Sequence, residues 1–399
     1  MSVHAEKHIV TLTDAPVAPY HWRRPVFHGG IDVSIAPEHA RIRRGPAAHC
    51  APFAVERFTK GGFFRRRVPI PHHKGRYLYA GPLWNHFGHV MVDCIHRLWA
   101  LLEGSRSYDG IVFCGVQGLI GLNTPARLEA SKPPGYAFEL MELIGLPKLP
   151  VIYLTKPATF ETLDVPRLGT APRANIAPFY RYYLDKYQET LERTLADQIR
   201  QAPERLFLGR SHIIHKGGAL GCSYFESVLG RAGFSTSRPE DLGFKVQIAN
   251  LLGAKTVVAD EGSALHPTQV FSRVETDYLM FPRRVKNEIY GDALTQRARS
   301  FANLAPPDGI IVLPDRYGKT SSAGCLAIYA DPAAVFHELQ RRGLVQEAFD
   351  PEAYYAAELE DLSRCRQTNT EVLDEQRRIL DRRGRPSAVP GRGGHVPVA

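Results

Sequence analysis

Residues 84–99 read WNHFGHVMVDCIHRLW and set His86, His89, Asp93, His96 and Arg97 among aromatic and branched aliphatic side chains. A buried ionisable group must find a partner or cost free energy, so this run needs a chemical reason. At helical spacing His86, His89, Asp93 and Arg97 fall at i, i+3, i+7 and i+11, one narrow face. Phe87, Val90, Met91, Cys94, Ile95, Leu98 and Trp99 supply the apolar remainder. Three chemistries suit such a stripe. One is a core network in which every polar group is satisfied. Another is a metal site, since two imidazoles and a carboxylate suit zinc or iron. The third is a catalytic face, with an imidazole as general base and a carboxylate one turn away to orient it.

A second group lies in ADEGSALHP, residues 259–267. The pattern predicts a strand ending at Asp260, a turn through Glu261 and Gly262, and a helix opening at Ser263. First-turn N–H groups have no intrahelical acceptor and the helix dipole is positive there, which suits phosphate. Gly262 permits close backbone approach, Ser263 adds a hydroxyl, Ala264 continues the turn, and His266 sits one turn in. The plainer reading makes Ser263 an N-cap and Gly262 a tight turn. Arg210 ends an earlier strand, and Arg283, Arg284 and Lys286 follow the strand 276–281 at the same sheet edge. Such a cationic rim suits a diphosphate, although each arginine alone reads equally well as surface.

The elements that must position these groups alternate. Strands are expected at 76–81, 110–115 and 151–154, with helical spacing from Phe87 to Glu103 and a long helix over 176–201. A cleaner β-α-β-α-β-α-β run comes next, with strands at 205–210, 234–239, 255–260 and 276–281 and a further one at 308–314. This predicts an α/β chain of two doubly wound units in tandem, with ligands at the carboxyl ends of the strands and a cleft between the units. The expected boundaries are 1–175, a connecting helix 176–201, a second unit 202–330, closing helices 331–379 and a disordered basic tail 380–399.

Composition narrows the partners. The chain has 399 residues, 44% hydrophobic and 23% charged, as in ordinary globular proteins. No window approaches the ~18 apolar residues of a membrane span, and the N-terminal stretch lacks an apolar signal core. Six cysteines without a C-x-x-C pair fit a reducing cytosol, so a cytoplasmic location is expected. The net charge of +9 attracts anions, and basic residues concentrate at 57–76 and in the tail. Both read as solvated surface; the sharper alternative is peripheral contact with an anionic membrane face or an acidic polymer. Gly318–Thr320 lacks the earlier glycine of a P-loop, with Leu313 in its place, and no D-x-D occurs.

The segments NHFGHVMVDCIHRLWALLE and LGRS…FESVLGRAGF…RPEDLGFKVQIANLLGAKTVVADEGSALHPTQVF together resemble glycosyltransferase family 61, over roughly residues 80–275. Val90, His96 and Gly209 depart from the residues usual there. The resemblance implies a GT-B architecture of two Rossmann-like domains, with the nucleotide-sugar donor held mainly by the second and the acceptor mainly by the first. It implies inversion at the anomeric carbon, no obligatory metal or other cofactor, and a bacterial surface or capsular glycan acceptor, free or lipid-linked, with no nucleic acid partner. For an inverting transfer His89 is the first choice of base, with Asp93 orienting it or serving as base itself, and His86 and Arg97 would hold acceptor or departing phosphate. Arg210, the 262–266 turn, Arg283 and Arg284 would hold the diphosphate, Glu261 a sugar hydroxyl and Glu240 the nucleoside. Two other classes remain: a metal-dependent hydrolase using His86, His89 and Asp93, and a non-catalytic binder of polyanions.

Overall fold

The computed structural model describes residues 6–23, 26–31, 50–51, 70–117, 124–170, 175–285, 288–315, 317–320, 324–365 and 370–382. Most of the basic run 57–76, Lys286 and the tail from residue 383 lie outside the described residues.

The chain is a mixed α/β protein with two main sheets. The first contains β1 (Ile9–Arg23), β2 (Val26–Gly30), β3 (Cys50–Ala51), β4 (His72–Leu83), β5 (Gly110–Gln117), β6 (Val151–Leu154) and β7 (Ala158–Pro166), in the order β3-β2-β1-β7-β4-β5-β6. Strands β7, β4, β5 and β6 run parallel. The expectation of two doubly wound units fails for this half, because β1 runs antiparallel to both β7 and β2 and makes the sheet mixed. Strand β5 is buried along nearly its whole length, as its unbroken GIVFCGV run requires of a strand covered on both faces.

Helices α1 (Pro125–Glu129) and α2 (Gly135–Leu143) follow β5. The predicted connecting helix is two helices, α3 (Pro178–Thr194) and α4 (Ala196–Arg200), broken at Leu195 with φ −108° and ψ 18°. Pro178 opens α3, where a missing N–H costs nothing. Tyr180, Tyr183, Leu184, Tyr187 and Leu191 form its buried stripe.

The second sheet is wholly parallel. It contains β8 (Arg205–Leu208), β9 (Ser235–Ser237), β10 (Thr256–Asp260), β11 (Val274–Phe281) and β12 (Ala298–Asn303), in the order β12-β11-β10-β8-β9. Helices α5 (Cys222–Arg231), α6 (Phe244–Gly253) and α7 (Glu288–Leu294) lie between its strands in sequence. Its side chains alternate as the pleat demands. Leu206, Leu208, Val257, Ala259 and Met280 join one core with Ile248 and Leu251 of α6. Phe207, Val258, Leu279 and Phe281 join another with Phe225, Val228 and Leu229 of α5. This half is doubly wound as expected, and strand order reverses between β8 and β10, where such sheets bind ligands. The segment 308–314 does not extend the sheet; β13 (Ile310–Val312) pairs antiparallel with β14 (Ala327–Tyr329) instead.

The core containing Leu206 and Val257 also contains Leu78, Val112, Leu163 and Tyr187, so one apolar cluster runs from the first sheet through α3 into the second. Helices α8 (Pro332–Arg341), α9 (Pro351–Arg364) and α10 (Thr370–Asp381) close the chain. Among the described residues no helix is long and apolar enough to cross a membrane.

Candidate active site where two sheet edges meet

The segment WNHFGHVMVDCIHRLW leaves the carboxyl end of β4. It is not the single α-helix that its spacing predicts. One α turn, Phe87–His89, passes into a π turn, Val90–Cys94, and then a 3-10 turn, Leu98–Leu102. A π turn inserts a residue, and one inserted residue rotates every later side chain by about 100° around the helix axis. The polar stripe is therefore split. Arg97 is corrected from ligand contact to brace: it is 2% exposed, donates from Nη1 to the Pro166 carbonyl, and lies 5.8 Å over the Tyr79 ring. His96 is also core. Its Nδ1 is 3.0 Å from the Tyr180 hydroxyl, and burial, with Arg297 adding, pulls its pKa down to about 3.

His89 and Asp93 remain together. His89 Nδ1 is 2.7 Å from Asp93 Oδ2, with the imidazole 32% exposed and the carboxylate fully enclosed. An enclosed carboxylate accepts from Nδ1–H, which leaves the lone pair of His89 on Nε2. Trp84 backs the imidazole at 3.9 Å between ring centroids, and His86, exposed and extended, stands 4.9 Å away. Partial burial and the neighbouring His89 lower the His86 pKa. Among the described residues no three His, Cys, Asp or Glu side chains converge as a metal ion requires.

Facing this pair is the carboxyl edge of the second sheet. Arg210 follows β8, and its backbone N–H donates to Asp260 Oδ2 at 2.7 Å. Burial lifts the Asp260 pKa to about 7 against the pull of Arg210, with Glu226 and Asp361 adding to the rise. The Arg210 side chain crosses Gly262 so closely that a Cβ there would lie 2.8 Å from Cδ. Close approach, and not an unusual backbone angle, requires this glycine. Ser263 and Ala264, both half-buried, open an eight-residue 3-10 helix, Ser263–Val270, where an α-helix was expected; Pro267 within it explains the departure.

Two expected ligand contacts turn inward. Glu261 is fully buried, and its Oε2 accepts from the backbone of Arg283 at 2.8 Å and Arg284 at 3.1 Å. Its carboxylate holds the turn after β11, which removes it from a sugar hydroxyl. Arg283 is buried, donates from Nε to the Glu261 carbonyl at 3.0 Å, and has its pKa pulled down to about 10, chiefly by that burial. Arg284 is 37% exposed and pairs with Glu261 Oε1 at 2.5 Å. Among the described residues, Arg210 and Arg284 thus remain of the cations expected at this edge.

The two halves touch at Gly88. A Cβ on Gly88 would stand 2.8 Å from His266 Cδ2 and 3.4 Å from Ser263 Cβ. The expected open cleft is closed at this point by direct packing. His266 is held down to a pKa of about 3 by burial first, then by His89, with His86 and Arg284 also contributing.

Two residues missed in the sequence belong here. His212, two positions after Arg210, contacts Glu240 through Nε2 and fixes that carboxylate at the β9 end of the edge. Its place just past a strand end was the available signal. Tyr290 of α7 stacks on His266 at 4.9 Å and 17°, and nothing in the NEIYGDAL run marks it. No family model matches the chain, and a search of curated proteins gave no match.

Proposed function

We propose that this chain transfers a sugar, with inversion, from a nucleotide-sugar donor to a glycan acceptor. The observation that carries the reading is the contact between Gly88 and His266, which brings the His89–Asp93 pair against a parallel-sheet edge bearing Arg210, Ser263 and Arg284. The reading takes the GT-B form, with the second sheet as donor side and the first as acceptor side. The resemblance to glycosyltransferase family 61 supports it independently of the geometry.

Inversion asks for one base on the acceptor side and for charge stabilisation on the leaving-group side. In the proposed mechanism the acceptor oxygen attacks the anomeric carbon while the bond to the diphosphate breaks. His89 Nε2 takes the acceptor proton, and Asp93 orients the ring and stabilises the imidazolium. Enclosure of Asp93 favours His89 over Asp93 as the base. Negative charge on the departing diphosphate meets Arg210, Arg284 and the first turn after Gly262. Glu240, held by His212, is the residue proposed to meet the nucleoside. A bacterial surface glycan, free or lipid-linked, is the proposed acceptor, with the work done at the cytoplasmic face of the membrane.

The test is a thermal-shift screen against UDP, GDP, CMP and their sugars, followed by a transfer assay on each ligand that binds. A ligand at 100 times its Kd adds about 2.7 kcal/mol to the folded state, a clear rise in Tm. Absence of any shift and of any transfer would sink the proposal. Stoichiometric zinc or iron in protein purified without a tag, with hydrolysis that chelators abolish, would replace it with a metal-dependent hydrolase.

A further inference from the structure

Tyr290 sits among the charged groups of the site while belonging to none of the motifs in the sequence. It is 5% exposed, and burial lifts its pKa to about 12 in surroundings that include Arg284, Arg283, Arg210 and Glu261. Its hydroxyl is 3.3 Å from His266 Nε2, and the two rings lie nearly parallel. Either the hydroxyl or Nε2 can be the donor, and whichever donates fixes which nitrogen of the imidazole carries its proton. Nδ1 is enclosed with no hydrogen-bond partner among the described residues.

The Nε2–Cδ2 edge of the same imidazole also lies against Gly88, one residue before His89: a Cβ there would stand 2.8 Å from Cδ2 and 3.2 Å from Nε2. His266 thus touches both Tyr290 and the turn that carries the base. We infer that Tyr290 is a positioning residue: acting through His266, it sets how close the His89–Asp93 pair stands to the arginine edge. The inference rests on the proposed function for its consequence in catalysis, but its structural content is independent of any substrate.

Two measurements on the full chain test it. The first is ring-nitrogen NMR of the histidines. Wild type should show His266 as a single tautomer, and Tyr290→Phe, which keeps the stack and removes the hydroxyl, should show a tautomer mixture. An unchanged His266 spectrum would overturn the inference. The second uses whichever of the UDP-, GDP- and CMP-sugars wild type turns over. Tyr290→Phe should lower kcat about tenfold, the scale of one hydrogen bond, with donor KM within about twofold. Gly88→Ala should also lower kcat, because its Cβ lands on His266. A Tyr290→Phe variant with wild-type kcat counts against the inference. If wild type turns over none of these sugars, the functional reading fails and the NMR result alone decides this inference.

Discussion

His89 Nδ1 and Asp93 Oδ2 are joined at 2.7 Å across a π turn, with the imidazole reaching solvent and the carboxylate sealed beneath it. That division of exposure assigns their parts. A sealed carboxylate can steady a proton transfer but cannot meet a bulky acceptor.

Substituting His89→Ala or Asp93→Asn should therefore lower turnover by about two orders of magnitude or more, the scale of a general base, while far-UV circular dichroism stays unchanged. The two should differ in rescue. Added imidazole should restore part of the activity of His89→Ala and none of that of Asp93→Asn. Near-full turnover in both variants would place the base elsewhere.

Arg210→Ala and Arg284→Ala should each weaken nucleoside diphosphate binding. Loss of one charge-assisted hydrogen bond costs about 1.5–3 kcal/mol, roughly 10- to 150-fold in Kd by calorimetry. Unchanged affinity in both would remove the arginine edge from the donor site.

Glu261→Ala should act on stability. It strips the acceptor from two backbone N–H groups and the partner from Arg284. An unsatisfied buried donor costs about 1–3 kcal/mol, so the denaturation midpoint should fall markedly. A variant with a wild-type midpoint but altered sugar preference would restore Glu261 as a direct contact.

Buried groups of two kinds impose opposite pH slopes on stability. His96 and His266 have folded pKa values near 3, below the ordinary 6.5, so the unfolded chain binds more protons between those values. Their contribution is present above pH 6.5 and is lost as pH falls toward 3. Asp260, near 7 in the folded state and 3.8 ordinarily, binds more protons when folded, so stability is lost as pH rises from about 4 to 7. Urea midpoints across pH 4–7 should show Asp260→Asn steepening the net rise of stability with pH, and His96→Gln flattening it. Parallel curves for both variants and wild type would contradict these assignments.

Much of the second sheet is legible because its strands are short apolar runs between helical periods, and β10 and β11 fall within two residues of the expected bounds. Strand β12, ARSFAN, escapes because an edge strand need not be apolar on both faces. Strand β1 escapes because IVTLTDAPVAPYHWR holds two prolines, which argue against a strand interior. Yet Pro16 pairs opposite Thr159 in the body of the sheet.

The site was legible as residue types and not as orientations. His89, Asp93, Arg210, Gly262 and His266 are brought into neighbouring positions, because strand ends converge on one edge. Arg97, Glu261 and Arg283 were not separable from them, since a polar residue that satisfies a buried carbonyl or N–H reads identically to one that awaits a ligand. The π turn at 90–94 decided Arg97, and no periodicity foretells an inserted residue.

The place of β1 has a consequence for how the chain is made. Ile9–Val17 pairs with residues 158–166, so this half of β1 lacks its partner until β7 is made, while the other half can pair with β2 at once. At roughly 5–20 residues per second that wait is on the order of ten seconds, with bare strand edges open to other chains. The second sheet, by contrast, takes all its strands from 205–303 and assembles from near neighbours. The first sheet is therefore most exposed to misassembly before β7 is made, and a nascent-chain holdase acting on the Ile9–Val17 half of β1 would protect the step that topology makes slow.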